Sequence, residues 1–257
     1  MPAVVCDIDG VILRDNRPLP GAVDFTQTLL GEGSPFLFLT NFPSQTPGDL
    51  RNRFLGAGLD VPEIHFYTSA MATIEFLRDQ AGEGRRVYVI GEGALVHALY
   101  DAGFVLSDSD ADFVVLGETQ SYHFDMIEKA AHLILGGARF IATNPDVAGP
   151  YGRPSCGALA APIERITGRA PFYVGKPNAV MMRAALRHMK AHSEEAWMIG
   201  DNMETDIIAG IQTGMRTVLV LSGVSQRADL PRYAYRPHYV VDGVSDVLPL
   251  IEHVTTS

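Results

Sequence analysis

Short apolar runs alternate with amphipathic stretches along nearly the whole chain. Val4-Val5-Cys6 leads into Asp7, and a helical pattern follows Pro20-Gly21. Phe36-Leu37-Phe38-Leu39 ends at Thr40-Asn41, and a second helical pattern covers residues 49–59. Apolar runs follow at 87–90, 113–116, 140–142 and 172–174, separated by helical patterns near 94–102, 125–135 and 157–167. The last third predicts helix (179–191), strand (197–199), helix (205–213) and strand (217–221). This order predicts an α/β fold built on a parallel, doubly wound sheet. In such sheets ligands bind outside the carboxyl ends of the strands, so residues far apart in sequence can meet on one rim. Asp7 to Asp9, Thr40-Asn41 and Asp201 all fall at predicted strand ends.

Composition narrows the classes. A chain of 257 residues can form one large domain or two smaller ones with a sizeable core. Its 47% hydrophobic and 19% charged residues fit a soluble globular protein. No apolar run is long enough to span a bilayer, and no basic region precedes the apolar start, so neither a membrane span nor a secretory leader is expected. Cys6 and Cys156 mark neither a disulfide framework nor a metal site and are read as reduced thiols of a cytoplasmic protein. A net charge of −10 speaks against nucleic-acid binding, which needs a basic footprint. Small phosphorylated molecules stay open as partners, because a bound cation can reverse the local charge.

Four segments carry candidate chemistry. In Cys6-Asp7-Ile8-Asp9-Gly10-Val11, Asp7 could attack phosphorus while Asp9 protonates the leaving oxygen and later activates water. Thr40 and Asn41 could hold phosphate oxygens, or simply satisfy backbone at a strand end. Lys176, in Gly175-Lys176-Pro177, could neutralise phosphate ahead of a helix. In the segment 199–206, Asp201 could bind a hard cation with Asp206 in support. Backbone amides of Asn202, Met203, Glu204 and Thr205 could meet an anion there, although capping of a helix would use the same residues. Each segment alone is also what an ordinary turn or cap requires. Ser155 and Ser222 lack the surroundings of a serine nucleophile, and His188 with His192 lack a third metal ligand nearby.

The order acidic pair, Thr, Lys, acidic loop resembles the haloacid dehalogenase superfamily of phosphotransferases. That resemblance makes Asp7 the nucleophile, Asp9 the acid/base, and Thr40, Lys176 and Asp201 with Asp206 the later motifs. It implies Mg2+ held by Asp7, the backbone carbonyl of Asp9 and Asp201. Leu39-Thr40-Asn41, the run 66–73, Ala142-Thr143-Asn144-Pro145-Asp146, the run 173–177 and Leu221-Ser222-Gly223-Val224-Ser225 are similar to the NagD-type nucleotide phosphatases. The resemblance implies a Rossmann-like core of residues 1–80 and 174–257 with an inserted α/β cap of the C2 type at 81–173. It puts Asn144 and Asp146 on a substrate-facing cap loop, for which the plain alternative is a reverse turn around Pro145. The expected activity is Mg2+-dependent hydrolysis of small phosphate esters, nucleoside monophosphates first and sugar phosphates next. A receiver-like phosphoacceptor module and a metal-free dehalogenase are the competing classes. Asp9 argues against both, since an acid/base favours turnover of the phosphoryl group.

Overall fold

The computed structural model describes residues 1–82, 84–149 and 152–256, without the side chains of Thr255 and Thr256. The strands, in chain order, are β1 (Ala3–Asp7), β2 (Leu13–Arg14), β3 (Arg17–Pro18), β4 (Phe36–Thr40), β5 (Phe66–Thr68), β6 (Arg86–Ile90), β7 (Val105–Leu106), β8 (Phe113–Leu116), β9 (Arg139–Ala142), β10 (Phe172–Tyr173), β11 (Ala196–Gly200), β12 (Arg216–Val220) and β13 (Tyr239–Val241). The chain forms two compact units. The first comprises Met1–Thr40, Pro47–Tyr67 and the chain from Met182 onward; the second comprises Asn41–Thr46 and Thr68–Met181.

In the first unit the sheet order is β13-β12-β11-β1-β4-β5. The ladders β1–β11, β1–β4, β11–β12 and β12–β13 are all parallel. Every residue of β1, β4 and β11 is buried, as their unbroken apolar runs require. Val4, Phe38, Ile199 and Val218 pack in one core with Phe54 and Phe66. Phe54 meets Phe66 edge-on, with centroids 4.8 Å apart. Burying one such ring is worth about 1.5–3 kcal/mol. Chain order turns at β1, which has β4 on one side and β11 on the other, and the loops after these strands open on one edge.

The second unit has a smaller parallel sheet in the order β10-β9-β8-β6-β7. Its core gathers Ile90, Val114, Leu116, Ile134, Ala160 and Ile163. Phe124–Leu135 and Cys156–Thr167 are its larger amphipathic helices and pack on each other. The parallel α/β class expected from the alternating runs is what both sheets show.

Several boundaries differ from expectation. The helix expected over 49–59 runs Pro47–Gly56 and stops there because Leu59 turns inward, its N–H on the Phe54 carbonyl at 2.9 Å. Segment 205–213 begins earlier, as a π-type turn over Met203–Ile207, and continues as helix Ile208–Thr213. The helix Ser69–Gln80, capped by Thr68 Oγ1 on the Met71 N–H at 3.3 Å, is absent from the pattern reading, as are the short strands β2, β3, β5, β7 and β13. Strands of two or three residues are too short to display a period.

Candidate active site

Asp7 closes β1 and Asp201 directly follows β11. The β1–β11 register sets Cys6 beside Ile199, so both carboxylates leave the sheet at one edge. Asp206 comes from the π-type turn. Ligand atoms of Asp7, Asp201 and Asp206 lie within 4.8 Å of one another, and all three residues are buried, at 8%, 4% and 1% exposure. Gly10, at φ +85°, passes so close that a Cβ there would collide with the Asp201 carboxyl group. The Val224 N–H donates to Asp201 Oδ2 at 2.7 Å, and the Asn202 N–H donates to Asp206 Oδ2 at 3.1 Å. These amides orient the carboxylates without neutralising them. Two ionised carboxylates at this spacing repel by about 3 kcal/mol each pair at an effective dielectric constant near 20. An all-oxygen set of buried acids is the donor chemistry that suits a hard divalent cation.

Asp9, two residues beyond Asp7, does not add its carboxylate to that cluster. Arg53, on helix Pro47–Gly56, engages both of its oxygens: Nη1 donates to Oδ2 at 3.2 Å and Nη2 donates to Oδ1. Arg53 Nε also donates to Asn16 Oδ1 at 2.7 Å. Nothing in the sequence pattern singled out Arg53, because a lone arginine on a helix has no signature. Thr40 ends β4 at 5% exposure, one residue beyond Leu39, which pairs with Asp7 in the sheet.

The loop after Asp201 corrects an expectation. The amides of Asn202, Met203 and Glu204 do not form an open anion nest. The Asn202 N–H goes to Asp206, the Met203 N–H to Ser225 Oγ at 2.9 Å, and the Glu204 N–H to Asn202 Oδ1 at 2.8 Å. Asn202 caps the turn, and the Met203 side chain is buried with Ile207 and Leu219. Side chains of the turn and Ser225 take these donors, and Asp201 and Asp206 of this segment join the acidic cluster.

In the second unit a different cluster forms around Asn41. Asn41 Nδ2 donates to the Lys176 carbonyl and to Asp146 Oδ2, both at 2.9 Å, and the Lys176 N–H donates to Asn41 Oδ1 at 2.8 Å. Asn144 Nδ2 donates to the Asn41 carbonyl at 2.9 Å and to Thr143 Oγ1 at 3.3 Å, while the Asp146 N–H donates to Asn144 Oδ1 at 3.2 Å. Both hydrogens of each side-chain amide are therefore committed to protein groups. Asn144 is fully buried and closes the turn around Pro145, which is the plain alternative recognised from sequence. Asp146, half-buried, keeps the more open place on this loop.

Glu118, just past β8, supports the same loop; Ser155 Oγ donates to Glu118 Oε1. Burial, with the Asp146 charge adding to it, pushes the Glu118 carboxyl up from its ordinary value. Neither Glu118 nor Ser155 was marked as functional by sequence. Neither cysteine forms a disulfide and both are buried, and burial raises the Cys156 thiol to about 11. His188 and His192 are exposed at the end of helix Ala179–Met189 and just past it.

Comparison with known proteins gives the family. The haloacid dehalogenase-like hydrolase family matches residues 4–105, and a HAD-hydrolase-like family matches residues 173–247. The chain belongs to the haloacid dehalogenase-like hydrolases and is an enzyme of that family. Within it, the chain is 55% identical over 244 residues to the ribonucleotide monophosphatase NagD of Escherichia coli strain K12, covering 95% of this chain and 97% of that one. It is 48% identical to a dihydroxyacetone phosphatase of Corynebacterium glutamicum, over 94% of this chain and 88% of the relative. The solved structure of E. coli NagD superposes with a TM-score of 0.93 at 54% identity, covering 96% and 98% of the two chains. No helix among the described residues is long and apolar enough to cross a membrane.

Proposed function

We propose that this enzyme is a Mg2+-dependent phosphatase of small phosphate esters, nucleoside monophosphates foremost, working through an aspartyl phosphate on Asp7. The observation that carries the reading is the buried convergence of Asp7, Asp201 and Asp206 at one sheet edge. These three would hold the cation, with the Asp9 backbone carbonyl as the fourth protein ligand of the proposal. Bound there, the cation supplies the charge neutralisation that lets an anionic nucleophile approach an anionic substrate.

The rest is chemistry of the chain. An Asp7 oxygen attacks phosphorus, and the bond to the leaving oxygen breaks. Asp9 gives that oxygen a proton, then takes one from water as the aspartyl phosphate is hydrolysed. To do so, Asp9 must release one of the two oxygens that Arg53 holds. Thr40 donates a hydroxyl hydrogen bond to phosphate, and the Lys176 ammonium offsets the charge that builds on it. Residues 81–173 act as the inserted cap that sets substrate choice. A cytoplasmic location completes the reading and is supported by two buried cysteines that form no disulfide.

The nucleotide assignment draws on the 55% identity to a ribonucleotide monophosphatase. A sugar- or triose-phosphate substrate is the second reading, favoured by the 48% identity to a dihydroxyacetone phosphatase. Phosphate release should be measured over nucleoside monophosphates, sugar phosphates and dihydroxyacetone phosphate, with Mg2+ and with EDTA. Preference for nucleotides with loss in EDTA supports the first reading. A preference for triose phosphate replaces it with the second, and full activity in EDTA removes the metal-dependent mechanism.

A further inference from the structure

The parallel ladder of the second unit continues past β10: the Val174 N–H bonds the Ala142 carbonyl at 3.0 Å and the Gly175 N–H bonds the Thr143 carbonyl at 2.8 Å. At Lys176 no strand residue supplies the next rung. The Asn41 side chain does, accepting from the Lys176 N–H and donating to its carbonyl. A planar amide matched to both backbone groups of one residue fixes that residue's position and tilt. Each end of the amide is specified, because Lys176 N–H and the Asp146 carboxylate demand opposite partners. Asn41 is itself anchored, its carbonyl accepting from Ser69 Oγ at 2.5 Å and from Asn144 Nδ2. Gly175 is required by this packing, since a Cβ there would lie 2.5 Å from the Thr143 carbonyl oxygen and 2.7 Å from Asn41 Oδ1.

We propose that Asn41 is a positioning residue that sets the Lys176 backbone and does not bind phosphate through its side chain, with Asp146 fixing the orientation of its amide. The inference rests on the reading in which Lys176 offsets phosphate charge. It reassigns both Asn41 and Asp146 from substrate contact to support of the lysine.

The test is a double-mutant cycle in the full-length enzyme with Mg2+ and p-nitrophenyl phosphate, with thermal unfolding followed in parallel. Displacing a catalytic group by an ångström can cost about 100-fold, so Asn41→Ala should lower kcat by roughly that factor. In a Lys176→Ala background the same change should cost less than about twofold, because residues acting through one another are not additive. Asp146→Ala should lower kcat about fivefold, again only when Lys176 is present, and Asp146→Asn should keep most activity because its amide oxygen still accepts. If Asn41→Ala does not fold, the Asp146 pair carries the same comparison. Losses that multiply in the Lys176→Ala background overturn this inference alone. A fully active Lys176→Ala overturns it together with the assigned role of Lys176.

Discussion

The two clusters are built on opposite principles. Asp7, Asp201 and Asp206 crowd like charges into a buried space. Asn41, Asn144 and Asp146 bring amides and one carboxylate together so that donors meet acceptors. The first is a donor set suited to a hard cation. The second is satisfied already, and adding a ligand to it would mean breaking bonds. A buried set of acids with the donor chemistry of a hard-cation site is the one to expect chemistry from, whereas a network of matched donors and acceptors is better suited to holding something in place.

The sharpest way to break this comparison is Asp7→Asn. The amide is nearly isosteric but a poor nucleophile, and phosphate release should fall by at least about 10⁴-fold, as loss of a nucleophile does elsewhere. The fold should persist, read by circular dichroism, because the amide keeps the shape of the carboxylate. Retained activity would show that the acidic cluster does not attack phosphorus.

Cation binding gives the next effect. A cation present at about 100 times its dissociation constant should stabilise the wild type by about 2.7 kcal/mol. Thermal unfolding with and without Mg2+ reads this directly, and Asp201→Asn should abolish most of the difference. Asp206→Asn should lose most of the Mg2+ effect as well. Equal Mg2+ shifts in all three proteins would mean that the cluster is not the binding site.

The second unit should answer to pH instead. Burial holds the folded Cys156 thiol at about 11, above the ordinary 9.0. A raised value means the neutral thiol is favoured in the fold. The associated stability is whole below pH 9.0 and is lost as pH climbs through about 11. Two pH units correspond to about 3 kcal/mol, an upper figure for the alkaline loss that Cys156→Ala should remove. Glu118 has the same sign at lower pH. Its carboxyl is raised by burial from 4.5, so its contribution is full below that value and declines as pH rises through the folded one. Glu118→Gln should flatten the stability profile across that window, as measured by urea unfolding at several pH values. An unchanged profile would place Glu118 in solvent.

The smallest effect is expected at Arg53. Its pair with Asp9 is partly exposed, with the Asp9 side chain at 55%, and such pairs are worth up to about 1 kcal/mol. Arg53→Met should cost no more than that, and the difference should shrink in high salt.

The sequence by itself determined the α/β class, the strands β1, β4 and β11, and the acidic residues at their ends, because an apolar run followed by a carboxylate is a local pattern. It also marked Asp201 and Asp206 as one acidic loop. It could not reveal that the amides of Asn202, Met203 and Glu204 would all be taken by side chains of the chain itself, since for Met203 that depends on Ser225 reaching the loop. Nor could it pair Arg53 with Asp9, or Asn41 with Lys176, which lie 135 residues apart. Those bonds join a side chain to a single distant partner and impose no period on the residues between, so only the folded chain could bring them together.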